Sequence, residues 1–146
     1  MKRAGFTMIE LIFVIVILGI LAAVAIPKLA ATRTDAQVAK VSTEAATLVS
    51  ELGTFYTAQG TFSGKDSDDI TNITLKTANH NIANAGTIVL GDDQNKTCIT
   101  VTFNNVDDGN ITVAATSSSS SVCKGVASAT KALQKTVSFG GTNVTW

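Results

Sequence analysis

The sequence predicts an α+β chain: a long N-terminal helix whose second half is laid on a small, mostly antiparallel sheet. Three observations predict it. An apolar run occupies Phe6 to Ile26, where only Thr7 and Glu10 are clearly polar. Apolar residues then recur at spacings of three and four through Val38, Val41, Ala45, Leu48, Leu52 and Phe55, the period of one helix face. Toward the C-terminus, short β-branched segments alternate with Gly, Asp and Asn turns, the pattern of hairpins. The chain thus divides into a basic segment 1–5, an apolar helix 6–27, an amphipathic helix 28–58 and a β-rich head 59–146.

Met1-Lys2-Arg3-Ala4-Gly5 is positive and touches the apolar run without a spacer. A helix over the run would span roughly 30 Å at about 1.5 Å per residue, which matches a bilayer core. Lys2 and Arg3 hold the N-terminus in the cytoplasm, so the head lies outside. Lys28 and Arg33 balance the flanking charge, so orientation rests on the first segment. A secretory signal peptide is the ordinary alternative, and Ala22-Ala23-Val24-Ala25 offers small residues for its peptidase. Against it, the run exceeds the usual apolar region of about 7–15 residues. Glu10 also sits inside the run, and a carboxylate in the membrane costs about 3 kcal/mol. A signal peptide or plain anchor gains nothing from that cost.

Gly19 and Pro27 are weak points of this helix. A mid-helix Gly costs about 1 kcal/mol relative to Ala, and Pro removes a backbone hydrogen bond. After Pro27 the apolar stripe begins, with Asp35, Gln37, Lys40, Glu44 and Glu51 mainly off it. The helix is expected to reach Ala58 and to stop at Gly60, a natural residue for the position after a helix end. A coiled coil would need a longer heptad pattern than this, so the stripe is expected to pack on its own sheet.

Gly60 to Asn84 reads as a connecting loop. Thr87-Ile88-Val89-Leu90 reads as a strand. Thr97 to Phe103 alternates as a second, with Cys98 in its polar phase. Asp107-Asp108-Gly109-Asn110 turns the chain into Ile111-Thr112-Val113-Ala114. Ser117 to Ser121 is a low-complexity loop, and Ser128 to Gln134 is read as a short helix. Thr136 to Phe139 and Thr142 to Trp146 flank Gly140-Gly141 as a terminal hairpin.

The head offers few chemical motifs. Cys98 and Cys123 are its two cysteines, and the predicted topology exports both. A disulfide between them is expected, contributing about 3 kcal/mol; two free thiols are the alternative. Asp66-Ser67-Asp68-Asp69 offers oxygen ligands for Ca²⁺ but lacks the full EF-hand pattern, and solvated turns are the expectation. Asn95 and Asn110 each follow an Asp two residues earlier and precede a Thr two residues later. Both resemble the extended acidic sequon of bacterial N-glycosylation; Asn72 and Asn143 fit only N-x-[ST]. Turn formation is the ordinary explanation for these residues. His80 has no partners at metal-ligand spacing. No nucleophile–base pair, phosphate loop or zinc spacing is found, so no enzyme is expected. Beyond Thr57 six lysines stand against seven aspartates without a basic cluster, which argues against nucleic-acid binding.

Lys2-Arg3-Ala4-Gly5-Phe6-Thr7-Met8-Ile9-Glu10-Leu11 resembles the class III signal of type IV prepilins and type II secretion pseudopilins. The likeness continues through Ile17-Leu18-Gly19-Ile20-Leu21-Ala22-Ala23-Val24-Ala25-Ile26-Pro27-Lys28 and covers roughly the first third of the chain. The resemblance implies a pilin-like fold, cleavage between Gly5 and Phe6 by a prepilin peptidase, and N-methylation of Phe6 by the same enzyme. It implies that Glu10 meets the Phe6 amine of a neighbouring subunit in a filament. An intrachain pair at i, i+4 is the alternative. Between Gly19 and Pro27, related helices can lose order on assembly. The implied partners are copies of this chain and other pilin-like subunits, an inner-membrane assembly platform and its cytoplasmic ATPase. The implied location is the bacterial inner membrane, then a periplasmic pseudopilus or a surface pilus. A pseudopilin of type II secretion is the first expectation, and a pilus pilin for adhesion, motility or DNA uptake is the second. Thr57-Ala58-Gln59-Gly60-Thr61-Phe62 lacks the Pro of the aromatic–Pro segment in major pseudopilins. A solitary membrane-anchored binding domain is the remaining alternative, and it leaves Glu10 without a use.

Overall fold

The computed structural model of the protein describes residues 5–116 and 118–140. Its elements are α1 (Met8–Gln59), α2 (Ser67–Ile70), β1 (Thr87–Gly91), β2 (Thr97–Asn105), β3 (Asn110–Ala115), α3 (Ser121–Ala129) and β4 (Thr136–Ser138). Two compact units divide the chain, Met1–Thr34 and Asp35–Trp146.

In the first unit α1 runs through Gly19 and Pro27 without a break. The two weak points therefore lie inside a continuous helix. Pro27 has no N–H to give, so the carbonyl of Ala23 is left without its helical donor. Side chains along the apolar run are exposed, with Phe13 at 67% and Val24 at 71%. Mean hydropathy reaches 3.1 in one window of the helix, long and apolar enough to cross a membrane. Past the run, Thr32 and Thr34 donate their hydroxyls to the carbonyls of Lys28 and Ala30. Such back-bonds satisfy the hydroxyl within the helix itself.

The second unit owns a hydrophobic core. Val41, Ala45, Leu48 and Leu52 of α1 are buried, and Val38 and Phe55 extend the same stripe. The stripe thus does what its spacing predicts. Burying a Leu contributes about 2 kcal/mol, so Leu48 and Leu52 anchor this half of the helix. The helix ends at Gln59, where Gly60 takes φ +74 and its N–H donates to the Tyr56 carbonyl at 2.7 Å. Glycine adopts that left-handed conformation without a Cβ penalty.

The strands form one antiparallel sheet in the order β1-β2-β3-β4. Ile88, Leu90, Ile99, Val101, Phe103, Ile111 and Val113 are its buried members. In the opposite phase, Thr87 pairs with Thr102, Thr102 with Thr112, and Thr112 with Thr136. A row of threonines therefore crosses all four strands, a favourable cross-strand arrangement. Phe62, fully buried, packs on Phe103 at 5.2 Å and Tyr56 at 5.3 Å between ring centroids.

The head departs from the sequence reading at three places. Cys98 is not on the polar side. Leu90 pairs with Ile99 but Gly91 pairs with Thr97, so Cys98 is the extra residue of a β-bulge. A bulge breaks strict alternation, and Cys98 and Ile99 are both fully buried. The helix expected at Ser128 to Gln134 lies earlier, at Ser121–Ala129, so the serine run ends inside it. Gly125 and the β-branched valines make Ser121–Ala129 a poor helix by propensity. Burial of Val122, Cys123 and Val126 outweighs that deficit. The segment from Gly60 to Asn84 carries the short α2, and Thr77 makes an isolated bridge to Val89. β4 pairs with β3; the second arm of the expected terminal hairpin, Thr142 to Trp146, lies outside the described residues.

Candidate processing and assembly site

Two residues upstream of Met8, the first helical residue, lies Phe6, which is 89% exposed. The peptide bond from Gly5 to Phe6 lies outside the helix, where cleavage needs no unwinding of a turn. Met1 to Ala4 lie outside the described residues. Thr7 caps the helix. Its backbone N–H and its hydroxyl each donate to Glu10 Oε2 at 2.8 Å, and the Glu10 N–H donates to Thr7 Oγ1 at 3.3 Å. This reciprocal pattern is a capping box. It satisfies two backbone donors that a helix start otherwise leaves open. The carboxylate also complements the positive end of the helix dipole.

Sequence reasoning set Glu10 against an amine on Phe6 and passed over Thr7. The signal was readable, because Thr7-Met8-Ile9-Glu10 has the T-x-x-E spacing ahead of an apolar run. In the described chain Glu10 is held by Thr7, and its Oε1 takes no partner among the described residues. The carboxylate and the Gly5–Phe6 bond thus lie close together in sequence, at an exposed helix start.

In the head, the bulge and α3 bring Cys98 and Cys123 together as a disulfide, with Cα atoms 4.6 Å apart. Asp92 sits beside it and is 9% exposed. It accepts hydrogen bonds from the Ser120 hydroxyl at 2.7 Å and from the N–H groups of Lys96 at 2.8 Å and Gln94 at 3.0 Å. Burial pushes its pKa up, but the Ser120 bond, the two backbone bonds and the Lys96 charge together bring it below the ordinary range. Asp92 and the two sulfurs lie within 4.8 Å of one another. A disulfide has no thiolate to offer a metal, so the group is structural.

Asp66 of the acidic loop accepts from the Asn81 N–H at 2.7 Å, the main cause of its lowered pKa. Its other oxygen lies 3.4 Å from His80 Nδ1, so His80, read from the sequence as partnerless, faces a carboxylate. A polar cleft of about 230 Å³ between α1 and the β1–β2 turn holds Lys40, Glu44 and Asp93. Lys40 stands 3.9 Å from Asp93 and 4.0 Å from Glu44, and Gln37 donates to Asp93 at 2.6 Å. Asn95 is exposed at the β1–β2 turn, whereas Asn110 opens β3 and is half-buried.

Residues 1–26 match the family model of the prokaryotic N-terminal methylation motif. No curated protein and no solved structure matches the chain. The motif implies processing by a prepilin peptidase and assembly with other pilin-type subunits, and the apolar helix supports a membrane anchor. Residues 1–26 thus carry the N-terminal methylation motif, which supports a class III signal of the type IV pilin and pseudopilin kind, on a pilin-like α+β fold.

Proposed function

We propose that this chain is a structural subunit of a type II protein secretion system. Prepilin peptidase cuts after Gly5 and methylates the new amine of Phe6. The apolar half of α1 holds the subunit in the inner membrane, with the head outside the cytoplasm. The assembly platform and its ATPase then pack it with like subunits into a periplasmic pseudopilus. The head does no chemistry in this reading.

One observation carries the filament-subunit part of this reading: Glu10 stands inside an exposed apolar run, within the methylation motif. A buried charge is tolerated where it gains an opposite one and fixes a register. In a filament the Phe6 amine of a neighbour supplies that partner, and Glu10 exchanges Thr7 for it. A type IV pilus pilin is the second reading, supported by the Cys98–Cys123 disulfide in the head, because a disulfide loop is common in type IV pilins.

The test is direct. Mass spectrometry of the mature protein is expected to find a chain beginning at N-methylated Phe6. Glu10→Gln is expected to be cut and inserted normally while filament yield falls about tenfold or more, the equivalent of about 1.4 kcal/mol. Normal yield from that variant overturns the role. Deleting the gene separates the readings, since loss of exported protein marks a pseudopilus and loss of surface fibres marks a pilus.

A further inference from the structure

Of the two acidic sequons in the head, the structure favours one. Asn110 is the first residue of β3, paired with Asn105 on one side and Ser138 on the other. Its side-chain oxygen accepts from Asn104 Nδ2 at 3.1 Å. Its backbone is thus held in the sheet, with a strand on each side. Asn95 has the opposite setting. It lies between the end of β1 at Gly91 and the start of β2 at Thr97. Gln94, Asn95 and Lys96 are all exposed. Asn95 takes φ 62, a conformation that Asn tolerates better than most residues. Its carboxamide takes no partner among the described residues.

The turn that carries Asn95 is built around Asp92. The Asn95 N–H donates to the Asp92 carbonyl at 3.0 Å, and the Asp92 carboxylate holds the N–H groups on both sides, of Gln94 and Lys96. All these bonds hold backbone. None uses the Asn95 side chain, which is exposed at the rim of the polar cleft. The Gly91–Thr97 pair lies beyond the bulge, at the end of the β1–β2 ladder. Pairs at such an end open at low cost; the Thr97 hydroxyl, which accepts from Lys76 Nζ at 2.9 Å, becomes available for recognition when Lys76 swings away. Asp93, two residues before Asn95, keeps its carboxylate about half exposed, at 54%, with Gln37 on one oxygen and Lys40 at 3.9 Å from the other, both from α1.

We propose that Asn95 is an N-glycosylation site, modified outside the cytoplasm from a lipid diphosphate-linked oligosaccharide. A membrane oligosaccharyltransferase joins Asn95 Nδ2 to the anomeric carbon of the first sugar. The bond from that carbon to the diphosphate oxygen breaks, the lipid diphosphate leaves, and the amide loses one proton to a base of the transferase. No electrons are exchanged. Asp93 supplies the acidic position and Thr97 the hydroxyl position of the acceptor sequence. The inference rests on the exported head of the proposed function.

The test uses full-length protein from its own cells. Peptide mapping is expected to place a sugar mass on Asn95 and none on Asn110. Asn95→Gln should abolish the added mass, and Asn110→Gln should leave it. Asp93→Ala should abolish it, while Asp93→Glu and Thr97→Ser retain it. An unmodified Asn95 in wild-type material overturns the proposal. The same digest, run with and without reductant, reads the Cys98–Cys123 bond. An oxidised pair with bare Asn95 refutes glycosylation alone; a reduced pair with bare Asn95 refutes it together with the exported head.

Discussion

Asp92 ties two stretches of chain that are far apart in sequence. Through Ser120, 28 residues away, it holds the start of α3, and through Gln94 and Lys96 it shapes the β1–β2 turn. Removing a buried acceptor leaves its donors open, at about 1–3 kcal/mol. Asp92→Ala is expected to lower stability by that amount in urea unfolding at neutral pH. Because the folded pKa lies below the ordinary 3.8, the contribution is present above that value. It is lost as pH falls through the folded value, so the gap between wild type and variant should close in acid. A gap that stays constant down to strongly acidic pH would refute the ionised role. Local sequence showed the Thr7–Glu10 box, had its spacing been used, since both partners lie in one turn. It could not show Asp92, because the hydroxyl that meets it comes from a serine run that carries no positional signal.

Among the elements, α1 was the most legible. A stripe of Val41, Ala45, Leu48 and Leu52 needs only the helical period to be read, and Gly60 marks its end. The strands were legible by alternation, except where the bulge turns Cys98 inward. Helix α3 was misplaced because its stability comes from contacts across the fold, and composition alone points downstream. One of those contacts is close. A Cβ built on Gly125 would lie 2.6 Å from Val38 Cγ2, and Val is stiff at χ1. Gly125→Ala should therefore destabilise by about 1–3 kcal/mol despite its better helix propensity. Adding Val38→Ala should recover part of the loss, because the two side chains couple directly. Thermal melts of the four members of that cycle would measure it, and strictly additive effects would deny the contact.

At the scale of the whole molecule, the two units have opposite needs. Every buried apolar side chain among the described residues lies at Val41 or later. A fragment starting at Asp35 is thus expected to fold in water, with a cooperative urea transition. Cys98→Ala with Cys123→Ala should lower its stability by about 3 kcal/mol, as loss of a loop of this size predicts. A fragment that unfolds without a cooperative step would show that the core depends on the first unit. That unit needs lipid or neighbouring subunits to cover it. The hydrogen bond missing at Pro27 also has a mechanical meaning. Along the helix each residue advances about 1.5 Å, and when extended it advances about 3.3 Å. A pull along the axis is resisted by the hydrogen bonds that such lengthening breaks, and the turn above Ala23 has one fewer to break. Under load, extension is concentrated there, and the helix stretches at a fixed place instead of tearing anywhere along its length.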